Sequence, residues 1–164
     1  MEDFLTEIKY MGFTSRLKRL SDELLYSTKD LYKSEGLDIE PNWNLIFHLL
    51  KERERMTITE MAETLQFSHP AVVKIVNQMK KRGYISSTLD QKDRRKYYLK
   101  LTKKALDHIE GFERYWLPGE EVIKEIMAGS PHFLDELLKI EQQLNKCNYK
   151  QRVLENMKKN EHLR

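Results

Sequence analysis

The chain has 164 residues, of which 40% are apolar and 34% charged, so we expect a helix-rich protein that is long enough to bury a core. No stretch approaches the about 18 consecutive apolar residues that span a bilayer, and the acidic N-terminus lacks a signal-peptide pattern, so we expect no membrane partner. The single Cys147 excludes an intrachain disulfide framework and fits a reducing compartment, which predicts a cytoplasmic location.

The net charge of +3 is unevenly distributed along the chain. Residues 56–104 contain eleven Lys/Arg against four Asp/Glu, whereas the segments before and after each contain nine against eleven. A basic middle between two acidic flanks is typical of a surface that binds a polyanion such as nucleic acid.

The first predicted element is one long helix over residues 4–35, with a break near Gly12 as an alternative. Gly36 is a natural C-terminal stop. The helix carries an apolar stripe, formed by Leu17, Leu20, Leu24 and Leu31. Because one small domain cannot easily bury so long a stripe, we expect it to pack on a second subunit; the alternative is a helix folded back on its own core.

A second helix is predicted over residues 41–54, with Pro41 in its first turn. Apolar residues surround it almost completely, which predicts a central position in the core. His48 lies among them and is expected to be a core histidine, although a role in a ligand pocket or in pH sensing is the alternative.

The next residues predict a helix-turn-helix unit. Thr57 and Glu60 have the spacing of a capping box at the start of a helix, Gln66 and Phe67 form a turn, and Ser68 can cap the following helix. That helix ends in a basic turn before Gly83. Its buried stripe is predicted to consist of Val72, Ile75, Val76 and Met79.

After Gly83 the pattern alternates with a period of two, which predicts a hairpin, or wing. Its strands are residues 84–88 and 96–101, joined by a charged loop over residues 89–95. In the second strand, one side is predicted to carry Tyr97, Leu99 and Leu101, and the other Lys96, Tyr98 and Lys100. The fold class predicted is therefore mainly α with a small β-wing.

Two more helices are expected at the C-terminal end. Thr102 can cap a helix from Lys103, which Pro118-Gly119 should kink or break. Gly129-Ser130-Pro131 marks a boundary, with Ser130 as cap and Pro131 in the first turn of one last helix that runs to about Lys158.

The exposed side at the start of the second helix of the helix-turn-helix unit is the candidate DNA-reading surface. Hydroxyl, imidazole, ammonium and amide groups there can reach bases or phosphates, and two apolar side chains suit thymine methyl groups. These residues are Ser68, His69, Pro70, Val73, Lys74 and Asn77. The alternative is an ordinary solvated surface. Exposed apolar side chains next to basic ones argue against that alternative.

The stretch ITEMAETLQFSHPAVVKIVNQMKKRGYI, followed by LDQKDRRKYYLKLT, resembles the MarR family of bacterial regulators (multiple antibiotic resistance type). The resemblance covers about residues 17–110 by motif and the remainder by helix layout. LKRLSDELL and IEPNWNLIFHLL also resemble a subgroup in which this domain precedes an acetyltransferase domain. One departure is Gln66, where the family's turn often carries a glycine, which costs free energy if that position needs a positive φ.

The resemblance implies a homodimer built on one MarR-like domain over residues 1–164, with a winged core at 37–104 and dimerisation helices at 1–36 and 105–164. It assigns Arg95 to the DNA minor groove, with Asp93 orienting the guanidinium and Asp90 shaping the loop. Further wing cations expected to contact phosphates are Lys92, Arg94 and Lys96. It also implies, in many members, a small-molecule effector pocket. The candidate lining here is Tyr10, Phe13, Arg16, Trp43, Phe47 and His48, and the alternative is that the aromatic residues among them belong to the core.

Enzyme chemistry finds little support in the sequence. The five histidines lack the pair spacing of metal ligands, and the sequence contains no phosphate-binding glycine loop. Cys147 has no base near it in the sequence. We therefore predict no catalytic residue, no metal and no cofactor. Two alternatives to a ligand-controlled regulator remain: a winged-helix module that docks a protein partner, and a DNA-binding protein that senses no ligand.

Overall fold

The computed structural model describes residues 3–91 and 93–161, in two compact units, Met1–Trp116 and Leu117–Arg164. Within the described residues, no helix is both long enough and apolar enough to cross a membrane. The first unit consists of a helical N-terminal segment, a helix-turn-helix and a two-stranded hairpin. Its core is a single cluster of buried residues centred on Trp43, Phe47 and Tyr84.

The N-terminal helix is broken near Gly12, as one of the two sequence interpretations expected. α1 spans Phe4–Glu7, a 3-10 helix spans Lys9–Gly12, and α2 spans Phe13–Ser34. A Cβ at Gly12 would lie 2.3 Å from the Leu5 carbonyl oxygen, so the close approach of the two segments requires glycine there. At the other end Gly36, with φ of +69°, follows α2 as predicted.

α3 spans Trp43–Arg53 and lies at the centre of the core. Two expectations for it were wrong. Pro41 precedes the helix, which begins after Asn42. His48 is exposed, because it faces away from the buried side of α3. Its ring centroid lies 5.3 Å from that of Trp116.

The wing is an antiparallel hairpin of β1 (Ile85–Leu89) and β2 (Tyr97–Leu101), in which Ser87 pairs with Leu99. Met56 forms an isolated bridge to Leu99 from the other side. Leu99 and Leu101, which were predicted to share one side of the strand, are both buried, whereas Tyr97 on that predicted side is 55% exposed.

α6 spans Lys103–Ile126 and is capped by Thr102, whose hydroxyl accepts from the Ala105 amide at 3.2 Å and donates to the Gly83 carbonyl at 2.7 Å. The expected break at Pro118 does not occur, and α6 continues through it. Proline inside a helix removes one hydrogen bond at a cost of about 3 kcal/mol, which the helical residues on both sides can outweigh.

The second unit contains α7 (Phe133–Lys146) and α8 (Tyr149–Glu161), where one helix was expected. Asn148 causes the break: its side chain accepts from the Gln151 amide at 3.0 Å, and the Gln151 side chain accepts from the Asn148 amide at 3.3 Å. This reciprocal capping starts a new helix and places Cys147 at the end of α7. α7 itself begins at Phe133, so Pro131 precedes the first turn and Ser130 is not the cap.

Candidate nucleic-acid interface

The candidate interface is built on α4 (Ile58–Leu65) and α5 (His69–Lys81), which form the predicted helix-turn-helix unit. The capping box is present: the Thr57 hydroxyl accepts from the Glu60 amide at 3.2 Å, and the Glu60 carboxylate accepts from the Thr57 amide at 2.7 Å. The turn requires a left-handed residue, and Gln66 supplies it with φ of 53° and ψ of 34°. The sequence therefore carries at this turn the strain that a glycine would avoid.

α5 has one buried side and one exposed side. Val72, Val76 and Met79 are completely buried and fix the rotation of the helix about its axis. The opposite side carries the residues predicted to read DNA. Ser68, His69, Pro70, Lys74 and Asn77 are exposed, and Val73 is half-buried.

Ser68 occupies the N-cap position of α5, but its side chain makes no capping hydrogen bond to any residue that the structure describes. Its predicted capping role is therefore wrong. Pro70 in the first turn needs no amide partner, which lowers the requirement for a side-chain cap. Ser68 is exposed at the start of α5.

In the wing loop, the backbone and Asp93 together set the position of Arg95. Asp93 Oδ1 accepts from the Arg95 amide at 3.1 Å and from Arg95 Nε at 3.2 Å. Asp90 Oδ1 accepts from the Asp93 amide at 2.6 Å, and the Asp90 amide donates to the Lys96 carbonyl at 2.9 Å, so Asp90 shapes the loop. The Arg95 side chain is 92% exposed, and Asp93 holds its guanidinium at Nε.

Two other predicted wing cations, Arg94 and Lys96, are exposed as well. Lys92 lies outside the described residues. The loop therefore presents several cations on a short, hydrogen-bonded turn, which is an arrangement suited to phosphates and to a narrow groove.

A further cation, Arg55, lies at the base of the wing and was not predicted from the sequence. The Arg55 guanidinium carbon lies 4.7 Å from the centroid of the Tyr98 ring, and both residues border an open cleft of about 610 Å³ together with Lys100. The alternation of β2 had placed Tyr98 and Lys100 on the outer side of the hairpin. Arg55 had no such signal, because it follows a charged helix end and reaches the wing only through the bridge that Met56 makes.

A second cleft, of about 440 Å³, opens between α2 and α5. Lys74 and Gln78 of α5 border it, with Tyr26 and Lys29 of α2 on the other side. It thus adjoins the candidate DNA-reading surface.

Neither cleft is lined by the set of residues that was expected to form an effector pocket. Trp43 borders the cleft between α2 and α5 but is almost entirely buried, and Phe47 is completely buried, with its ring 5.6 Å from that of Phe112. Phe47 therefore cannot line open space in this conformation, because aromatic packing fills the region between α2, α3 and α6. The remaining candidates, Tyr10, Phe13, Arg16 and His48, are exposed.

Comparison with known proteins agrees with this geometry. Residues 37–96 match the model of the MarR family. The HTH-type transcriptional regulator PapX of Escherichia coli is 24% identical over 110 residues, which cover 67% of this chain and 65% of PapX. The chain thus spans slightly less than two thirds of this curated relative.

Solved structures share the fold at low sequence identity. The organohalide-sensing RdhR-CbdbA1625 transcriptional regulator in its 2,4-dichlorophenol-bound form superposes with a TM-score of 0.68 at 21% identity, over 90% of this chain and 87% of that one. The S. aureus MepR–DNA complex gives a TM-score of 0.61 at 18% identity, over 82% of this chain and 94% of that one. The solved structures thus share the winged helix-turn-helix fold of this chain, and residues 37–96 match the MarR family model.

Proposed function

We propose that this protein is a MarR-family transcriptional regulator that binds double-stranded DNA as a homodimer, with α5 in the major groove and the wing in the minor groove. The observation that carries the proposal is the pairing of an exposed polar and basic side of α5 with an exposed Arg95 held by Asp93. The concentration of positive charge in residues 56–104 supports DNA over a protein partner. The MepR structure is a DNA complex, which agrees with such a role for this fold. A cytoplasmic location follows from the same proposal.

The experiment that tests DNA binding is selection of genomic fragments by the purified protein, followed by footprinting and a salt titration of the affinity. A two-fold symmetric site is expected, with half-sites about one helical turn apart. Affinity should fall steeply with salt, because phosphate contacts release counterions. If no fragment is preferred over random DNA, the protein-docking alternative becomes the better explanation.

The homodimer is supported by apolar surface on α2. Leu20 is 49% exposed and Leu31 is 44% exposed, and they lie on one side of the helix with Leu17 and Leu24. An apolar stripe this long on one side of a surface helix is typical of an interface. In our proposal, the helices flanking the winged core set the distance between two copies of α5.

Substituting glutamate for one stripe leucine tests the dimer. Leu20→Glu would place a charge in the interface and should yield a monomer by light scattering, because a buried unpaired charge is strongly unfavourable. Ser15→Glu is a matched control, since Ser15 is exposed on the opposite side of α2. Equal masses for both variants and the native protein would show that α2 does not form the interface.

Relief of DNA binding by a small molecule is a second part of the proposal. Its structural support is the cleft between α2 and α5, which adjoins Lys74. RdhR is described as sensing organohalides and was solved with 2,4-dichlorophenol bound, so proteins of this fold accommodate small apolar molecules. A panel of phenols and small apolar acids should include compounds that raise the melting temperature and release DNA. If none does both, a regulator that senses no ligand is favoured.

A further inference from the structure

The C-terminal end of α5 is surrounded by ion pairs from three other parts of the first unit. Arg82, which follows α5, donates to Asp38 Oδ1 at 2.8 Å and to Glu40 Oε1 at 3.2 Å. Its guanidinium carbon also lies 5.1 Å from the centroid of the Trp43 ring. Both carboxylates belong to the segment between α2 and α3, so Arg82 ties the end of α5 to that segment.

Glu40 extends this connection to α2. While Oε1 accepts from Arg82, Oε2 lies 3.0 Å from Lys29 Nζ on α2. The Glu40 side chain is only 27% exposed, so solvent screens these contacts less than it screens an ordinary surface pair. One carboxylate therefore bridges α2 and the end of α5.

The same end of α5 is joined to the start of α6. Lys104 Nζ donates to the Arg82 carbonyl at 2.8 Å, lies 4.0 Å from Asp38 Oδ2, and sits 4.2 Å from the centroid of the Tyr84 ring. These contacts satisfy a carbonyl at the end of α5 and place a cation where the helix dipole is negative.

α2 and α6 are in turn connected to each other further along. Trp116 Nε1 donates to the Tyr32 hydroxyl at 3.0 Å, and the Tyr115 hydroxyl donates to Glu35 Oε2 at 3.0 Å. The C-terminal end of α5 thus contacts both α2 and α6, which also contact each other. The N-terminal part of α5 carries the residues predicted to read DNA.

From this arrangement we infer that Glu40, Arg82 and Lys29 are positioning residues for DNA recognition: they hold α5 in its orientation against α2 without touching DNA. The inference rests on the proposed function. Without this bridge, α5 also adopts orientations that do not fit the groove. The apparent affinity for DNA then falls in proportion to the fraction of molecules in which α5 keeps the orientation that fits.

The substitution Glu40→Gln tests the inference by the sign of its effect. It removes one negative charge from a protein that binds a polyanion, so a bystander at this position would bind DNA as tightly as the native protein, or more tightly. A positioning residue gives the opposite result: affinity falls roughly threefold to tenfold, the scale of two partly exposed ion pairs. Glu63→Gln is the matched control, because Glu63 is exposed on α4 and forms no ion pair within the described part of the chain.

A double-mutant cycle with Lys29→Met separates positioning from direct contact. If Lys29 acts through Glu40, Lys29→Met weakens DNA binding in the native background and has no further effect in the Glu40→Gln background. The salt dependence of the affinity should then be unchanged. If Lys29 instead contacts a phosphate, its loss lowers the slope of log affinity against log salt by about one and persists in the Glu40→Gln background, which overturns its assignment.

Amide hydrogen exchange of the free protein gives a readout that needs no DNA. Exchange of the Arg82 and Gly83 amides, which donate to Gln78 and Lys80 carbonyls, should rise in Glu40→Gln and stay native in Glu63→Gln. If the native protein selects no DNA, the proposed function fails. If it does bind DNA but Glu40→Gln binds as tightly as Glu63→Gln, or exchange at the end of α5 is unchanged, the positioning inference fails alone.

Discussion

Truncation of the wing arginine, Arg95→Ala, should weaken specific DNA binding while leaving the fold intact. In the free protein the Arg95 side chain is 92% exposed and, among the residues that the structure describes, it makes one hydrogen bond, from Nε to Asp93 at 3.2 Å. Surface ion pairs of this kind contribute about 0–1 kcal/mol, so the melting temperature should change little. In the complex, the guanidinium would lie in a groove of focused negative potential, and its loss should cost about 1–3 kcal/mol, or roughly fivefold to 150-fold in affinity.

Fluorescence anisotropy with a selected duplex and a scrambled duplex, at several salt concentrations, measures this effect. Arg94→Ala is the control, because Arg94 is exposed beside Arg95 in the same loop. A phosphate contact at Arg94 would lower affinity for both duplexes and reduce the salt slope by about one. Arg95→Ala should mainly reduce the ratio between the two duplexes. A ratio equal to that of the native protein would remove Arg95 from the minor-groove role.

Three further predictions concern the scaffold. Gln66→Gly should raise the free energy of unfolding by about 0.5–1 kcal/mol, because φ is 53° at that position. Gly36→Ala should lower the free energy of unfolding by a similar amount, because φ is +69° there. Denaturant unfolding at fixed protein concentration measures both changes. Thr57→Ala removes one half of the capping box and should cost about 1 kcal/mol, and a loss below a few tenths would show that the box contributes little. The pKa of Asp3 is lowered to about 2, chiefly by the hydrogen bond that its carboxylate accepts from Arg19. This contact therefore stabilises the folded state above the ordinary carboxyl pKa, and its contribution is lost as the pH falls toward 2. An NMR titration of the Asp3 carboxyl should show that midpoint, and Arg19→Gln should raise it.

Local sequence signals predicted most of the winged domain correctly. Thr57 and Glu60 marked the start of α4 because the capping interaction involves residues only three apart. The period of two identified the strand and placed Leu99 and Leu101 on one side, which is buried, since alternation follows directly from strand geometry; Tyr97, at the end of that side, is exposed.

The errors lie where local signals compete with packing. Pro118-Gly119 was expected to kink or break α6, and the break does not occur, because the helix continues on both sides of Pro118. His48 was expected in the core because its neighbours are apolar, yet it faces outward. Asn148 and Gln151 have the spacing of a reciprocal cap, but the apolar pattern continues across them and favoured a single helix.

The sequence alone determined the elements of the candidate interface: the exposed side of α5, the charged loop of the wing, and the concentration of positive charge between acidic flanks. These depend on periodicity, capping and composition, which act over a few residues. The tertiary structure decided which distant residues meet. Arg55 reaches Tyr98 across the wing, and Glu40 joins Lys29 to Arg82 at the end of α5. Such contacts depend on how the chain packs, because no local pattern specifies a partner that lies tens of residues away.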